Sequence, residues 1–255
     1  MICACIHIFI GLVINSYNNY MEEDIISTPD SDIYKTWGKS KYRVDIPAIG
    51  REYHDWKDNT PLDVQKIILD YMTARNMEFF FGYFKKSKDE IDDRYYPTEE
   101  ADRQRKAAIE QAQTSAHDLF DFFRENHPEL LTDLVAIGMD GSSLYRPRKG
   151  GDIDIWLMVK ENSEQLDDAF TEFIVANKEK DRETNISPRI VLKNPDIKYL
   201  EQGQVPVLSL PHKMLLEINI SEKEYVDLKR QTDEFVRDHM EMIYGISRKT
   251  ATYWL

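Results

Sequence analysis

At 255 residues, 42% hydrophobic and 11% aromatic, the chain has room for one large domain or two small ones and enough apolar side chain for a real core. A formal net charge of −13 and a pI near 5.0 exclude a general coat for nucleic acid, which needs a basic surface, while leaving room for a local basic groove. The only cysteines, Cys3 and Cys5, give the body no disulfide framework and no Cys-based zinc site, the usage of a reducing, cytoplasmic setting. The apolar run from Met1 to Ile14 has no positive start, as a signal peptide would. It is also shorter than the roughly 20 residues of a spanning helix. Residues 1–20 therefore read as an upstream extension or β-prone leader, with Met21 a candidate start; a membrane anchor is the alternative. Residues 21–59 read as an irregular polar arm, with a short strand near Tyr42–Ile46 and the aromatics Trp37, Tyr42, Tyr53 and Trp56 as anchors on the body.

Thr60-Pro61-Leu62-Asp63 has the form of a helix start, with Thr60 as cap, and Ile67, Ile68, Tyr71 and Met72 follow at helical spacing. The aromatic cluster between Met77 and Phe84 is predicted to be core rather than a base-stacking platform. A charged loop follows, from Lys85 to Tyr96. Thr98 is predicted to cap a long helix running to about Asn126, with Ile109, Ala112, Ala116, Leu119, Phe120 and Phe123 as its apolar stripe. His117 lies near that stripe, with no second His or Cys at metal spacing, and reads as structural. His127-Pro128 ends the helix.

Leu134 to Gly141 then reads as a strand ending in a Gly-Ser turn, and Asp152-Ile153-Asp154-Ile155-Trp156 begins a second strand. Alternation puts Asp152, Asp154 and Trp156 on one face and Ile153, Ile155 and Leu157 on the other, the core face. Two carboxylates side by side on a strand repel, and a cation between them relieves this; carboxylate oxygens are what Mg²⁺ takes. Gly141 lets backbone approach a ligand closely, and Ser142 and Ser143 offer hydroxyls and N–H groups to phosphate oxygens. The loop Tyr145-Arg146-Pro147-Arg148-Lys149 adds three positive charges and an aromatic ring.

Downstream, Ser163 is expected to cap a helix with Leu166, Phe170, Phe173 and Ile174 on one face. Strands are expected at Pro188–Lys193, at Val205–Leu210 (an edge strand, because of Pro206) and at Lys213–Ile220, with a turn at Asn194-Pro195-Asp196. Glu222 to about Tyr244 reads as a helix, and a short second helix after Gly245 closes the chain; a helical cap is the reading, a helix-turn-helix DNA reader the alternative.

The Gly141-Ser142 turn, nine residues, then Asp152-Ile153-Asp154-Ile155 resembles the signature of the nucleotidyltransferase superfamily with the DNA polymerase β-like fold. The resemblance covers about twenty residues and departs at Asp140, where the family usually has an apolar residue. It implies an α/β (α+β) fold: a helical region at 60–130, a mixed-sheet nucleotidyltransferase core at 131–221, and C-terminal helices at 222–255. It implies a metal-dependent nucleotidyltransferase that moves a nucleoside monophosphate from a nucleoside triphosphate to a hydroxyl acceptor and releases pyrophosphate. Asp152 and Asp154 would bridge two Mg²⁺ ions, with Mn²⁺ as substitute. Gly141, Ser142 and Ser143 would take the terminal phosphates, with Arg148 or Lys149 assisting and Tyr145 near sugar or base. A third carboxylate should come from a neighbouring strand. Glu217, the lone acid in the run Leu215–Ile220, is the expected one; a Glu on the solvated face of an edge strand is the alternative. The acidic balance favours a small-molecule, protein or RNA-end acceptor over extended nucleic acid, and no membrane partner is expected. Two other readings remain: a catalytically silent member of the fold that binds nucleotide or a partner protein, and a nucleic-acid-binding module at the C-terminal helices.

Overall fold

The structure, a computed structural model, describes residues 56–69, 71–72, 96–145 and 147–243. All of them belong to a compact unit, Pro47–Leu255. The expected leader, the strand near Tyr42, the anchors Trp37, Tyr42 and Tyr53, the aromatic cluster 77–84 and the closing helix after Gly245 lie outside the described residues.

After the helical segment 62–69, the long helix α1 (Thr98–Asn126) is followed by β1 (Leu134–Asp140), a one-turn helix α2 (Ser142–Tyr145) and β2 (Ile153–Val159). Next are α3 (Glu164–Thr184), β3 (Ile186–Leu192), the short α4 (Ile197–Glu201), β4 (Lys213–Glu217) and α5 (Glu222–Asp238). The four strands form a mixed sheet in the order β3-β2-β1-β4. β1 is antiparallel to both β2 and β4, and β2 is parallel to β3, so the described chain is mixed α/β. The β2–α3–β3 crossover is what a parallel pair demands, since two parallel strands cannot be joined by a hairpin.

One sheet face, with Ile137, Met139, Ile153, Ile155, Leu157 and Val159, packs under the stripes of α1 (Ala112, Ala116, Leu119, Phe123) and α3 (Leu166, Phe170, Phe173). The other face forms a second core from Ala136, Trp156, Met158 and Val191 against Val207, Leu208 and Leu228. Trp156 is fully buried, and its indole lies where a Cβ on Gly138 would stand, 2.2 Å from ring carbon Cζ2. The glycine is the space into which the tryptophan packs. Trp56 anchors residues ahead of the helical segment 62–69: it is buried, and its Nε1–H donates to the Ser209 carbonyl at 2.8 Å.

Several local expectations are corrected. Thr60 is no cap: its hydroxyl is buried without a partner, and the Gln65 N–H closes the first turn on the Pro61 carbonyl. α1 begins at Thr98 itself, with Pro97 in the capping position. Val205–Leu210 is a 3₁₀ turn at Val207–Ser209 rather than a strand. Pro206 brings a φ of −55°, and its carbonyl accepts from both the N–H and the hydroxyl of Ser209. Ser163 does cap α3, accepting from the Leu166 N–H, and Ser221 and Glu224 close a reciprocal capping box on α5. Asp196, in the expected turn, caps α4.

Candidate functional site

Every part of the site grows from the paired ends of β1 and β2. In the antiparallel register Asp140 stands directly opposite Asp154, so their side chains project from the same face. Gly141 follows with a φ of +80°, a left-handed conformation that suits only glycine. A Cβ there would lie 2.1 Å from Asp154 Oδ2. The carboxylate of Asp154 thus rests against the bare α-carbon of Gly141, and the first half of the motif is shaped to the second. Among the described residues Asp154 accepts no hydrogen bond. Burial, then the charges of Asp140 and Asp152, push its carboxyl up to about 7.

Asp140 is buried beside it and differently served. Arg189 on β3 donates from one guanidinium nitrogen to both of its oxygens, at 2.8 and 2.6 Å. Burial still outweighs the guanidinium and raises Asp140 to about 6. Asp152, half-exposed, accepts from Arg148 at 3.3 Å.

The Gly-Ser turn runs into α2, so Ser142 and Ser143 begin a helical turn whose Leu144 N–H bonds back to the Gly141 carbonyl. Ser143 is 8% exposed and its hydroxyl has no partner. From α1 the buried Arg105 donates to the Leu144 carbonyl and pairs with Asp102, clamping the turn to the long helix. Ser142, Ser143, Arg148, Gly151, Asp152 and Asn185 line a cavity of about 220 Å³ beside the turn. Tyr145 is half-buried at the end of α2, and Lys149 is exposed at the loop tip.

The structure therefore brings together Gly141, Ser142, Ser143, Arg148, Asp152 and Asp154. It does not bring Glu217 to them. Glu217 pairs with Ala136, four residues along β1 from Asp140 and so about 13 Å away at ~3.3 Å per residue. Its side chain is exposed at the end of β4. The register explains the miss. Opposite Ala136, Glu217 does lie on the sheet face of Asp140, as alternation predicts, but at the far end of β1; Lys213 and Met214 run beside Met139 and Gly138, with Leu215 as a bulged extra residue before Leu216. Leu215 is buried in the same core that Leu216 and Ile218 pack against. The solvated edge-strand alternative describes Glu217.

Two residues of the site were not singled out from sequence as part of it. Asp140 is the departure from the family pattern, and its acid just before the Gly-Ser turn was the visible signal. Arg189 is the charged residue inside the β3 run Ile186–Leu192. Beside Asp154, β3 offers Ser187 and no carboxylate. Among the described residues no three His, Cys, Asp or Glu side chains are gathered to hold a metal ion; the Asp152–Asp154 pair is the acidic chemistry nearest the turn, with Asp152 on Arg148. The pair fits a Mg²⁺ ion, which keeps several waters and takes one or two carboxylates with substrate phosphates. Among the described residues, Asp154 supplies a half-buried carboxylate without a donor, and Ser143 an unpartnered hydroxyl in the adjoining turn. No family model, no curated protein and no solved structure matches the chain.

Proposed function

We propose that this chain binds a nucleoside triphosphate with Mg²⁺ at the β1–β2 end and is a nucleotidyltransferase, passing a nucleoside monophosphate to a hydroxyl acceptor and releasing pyrophosphate. The observation that carries the reading is the fit of the Asp154 carboxylate, without a hydrogen-bond donor, against the α-carbon of Gly141, with Asp140 and Asp152 on either side. A half-buried carboxylate among carboxylates calls for a cation. The adjoining turn supplies phosphate-binding hydroxyls and N–H groups. A bound divalent ion supplies charge neutralisation at the reacting phosphate and activation of the acceptor hydroxyl. The chain's own part is positioning: Asp152 and Asp154 hold the ion, Ser142 and Ser143 orient the terminal phosphates, and Arg148, now on Asp152, is within reach of their charge. In place of Glu217, Asp140 is the third carboxylate of the site.

A second reading, a nucleotide-binding member of the fold without turnover, rests on a specific observation. Both oxygens of Asp140 are held by Arg189, so the third carboxylate is engaged before any substrate arrives. Incubating the full chain with Mg²⁺ and each labelled nucleoside triphosphate separates the two. Pyrophosphate and a labelled product, both lost in Asp154→Ala, support transfer. Mg²⁺-dependent nucleotide binding without pyrophosphate supports the silent reading, and absence of binding refutes both.

A further inference from the structure

Arg189 has an unusual path. It belongs to β3 and its partner Asp140 to β1, and β2 lies between these strands. The guanidinium must therefore cross the central strand, two strand spacings or about 9.6 Å, on the face that carries Asp154 and Trp156. In register Arg189 stands beside Trp156 and Ser187 beside Asp154, so the side chain leans along the sheet to arrive at the carboxylates. The Asp140 side chain is 2% exposed while that of Arg189 is 45% exposed. One end of the pair is locked in the protein and the other is half open to solvent. A positive charge is thus delivered to the place where a third carboxylate would meet a second metal ion.

We propose that Arg189 is the built-in cation of this site: it occupies Asp140, so that the cluster takes up one divalent ion, on Asp152 and Asp154, and not two. The contacts favour the same count. Arg148 holds Asp152 by a hydrogen bond of 3.3 Å at a half-exposed carboxylate, which an arriving ion can displace. The Arg189 contact engages both oxygens of a buried one. Glu217, the other acid on the sheet considered as a metal ligand, lies beside Ala136 and offers no replacement for Asp140. Arg189 is thus a positioning residue for the metal site; it holds Asp140 off the ion.

The inference rests on the metal-site reading above, and the test keeps the two apart. Mn²⁺ alone serves as probe, counted by electron paramagnetic resonance on the full chain, with thermal denaturation alongside. Wild type should take up one Mn²⁺ and Asp154→Asn none. Arg189→Lys should keep one. Arg189→Gln frees Asp140 and should take up two. Since that variant leaves a buried carboxylate without its partner and can fail to fold, the pair Asp140→Asn with Arg189→Gln provides a neutral replacement. It should fold and still bind one Mn²⁺ at near wild-type affinity. Two Mn²⁺ in wild type, loss of Mn²⁺ in the paired variant, or an unchanged count in a folded Arg189→Gln would each overturn the role of Arg189. No Mn²⁺ in wild type would overturn the metal-site reading itself.

Discussion

Asp154→Asn separates a residue kept for a ligand from one kept for the fold, because the two roles predict opposite signs. In the metal-free protein the carboxyl of Asp154 is raised from 3.8 to about 7 by burial and by Asp140 and Asp152. A carboxyl raised by folding destabilises the fold once it ionises. The penalty is absent below the unfolded value near 3.8, grows as pH rises, and is complete above 7. At ~1.36 kcal/mol per pH interval the full gap corresponds to about 4 kcal/mol. Asp140 carries part of the same repulsion and relaxes with it, so about 2–4 kcal/mol is the expected gain from removing the charge. Asparagine keeps the shape, and among the described residues Asp154 accepts no hydrogen bond that the change would forfeit. In chelator at pH 8 the variant should melt roughly 5–15 °C above wild type, taking about 2–4 °C per kcal/mol for a domain of this size. The two melting curves should converge near pH 4. Adding Mg²⁺ should raise the wild type and leave the variant unmoved, while metal-dependent turnover disappears from the variant. A variant less stable than wild type at pH 8 in chelator would refute the reasoning, since Asp154 would then be serving the fold.

Four further outcomes follow from particular contacts. Ser142→Ala should weaken triphosphate binding by about 1.5–3 kcal/mol, the range of hydrogen bonds to charged groups, and monophosphate binding by less; equal losses in calorimetry would contradict a terminal-phosphate role. Gly141→Ala puts a Cβ 2.1 Å from Asp154 Oδ2 at a φ of +80°; it should cost about 1–3 kcal/mol from backbone strain and abolish the Mg²⁺ shift in melting temperature. Gly138→Ala drives a Cβ into the buried Trp156 ring and should cost about 1–3 kcal/mol by overpacking while sparing Mg²⁺ binding. His212 is buried, with Nδ1 against the Leu210 carbonyl and Nε2 against the Tyr225 hydroxyl, and burial lowers it to about 4. Its neutral form belongs to the fold, so its contribution is full above pH 6.5 and falls, by about 3 kcal/mol, between 6.5 and 4 as the unfolded chain takes the proton; His212→Gln should remove that part of the acid sensitivity in chemical denaturation.

What the sequence showed of this molecule, and what it hid, divides along local and non-local physics. α1 ends at Asn126, α3 is capped by Ser163, and the β1 and β2 strands fall where alternation put them, because each is written within a few consecutive residues. The turn Gly141-Ser142 and the pair Asp152–Asp154 were legible for the same reason. The errors are of another kind. The 3₁₀ turn at Val207–Ser209 has the composition of a strand, and only the second core beneath it, which takes Val207 and Leu208 together, favours the tighter turn. Glu217 was chosen for the face it shares with Asp140, and that face is right; pairing with Ala136 sets it at the far end of β1. Where a strand pairs along its neighbour is a non-local property, and nothing in Leu215-Leu216-Glu217 announces it.

The same distinction bears on the chemistry. Reading the motif as a template directs the search for a third carboxylate downstream, onto a later strand, and treats the acid already beside the turn as a departure from pattern. The fold pairs Asp140 with Asp154 across β1 and β2, and it fills the corresponding region of β3 with Arg189. An acid at a position usually apolar and an arginine amid a strand run look like two unrelated departures from pattern in the linear chain. In three dimensions each accounts for the other: buried, Asp140 needs a cation, and Arg189 reaches across a strand to meet it. Such a pair leaves Asp154 as the one carboxylate of the cluster without a cationic partner, and that makes it the place where a metal ion has most to gain.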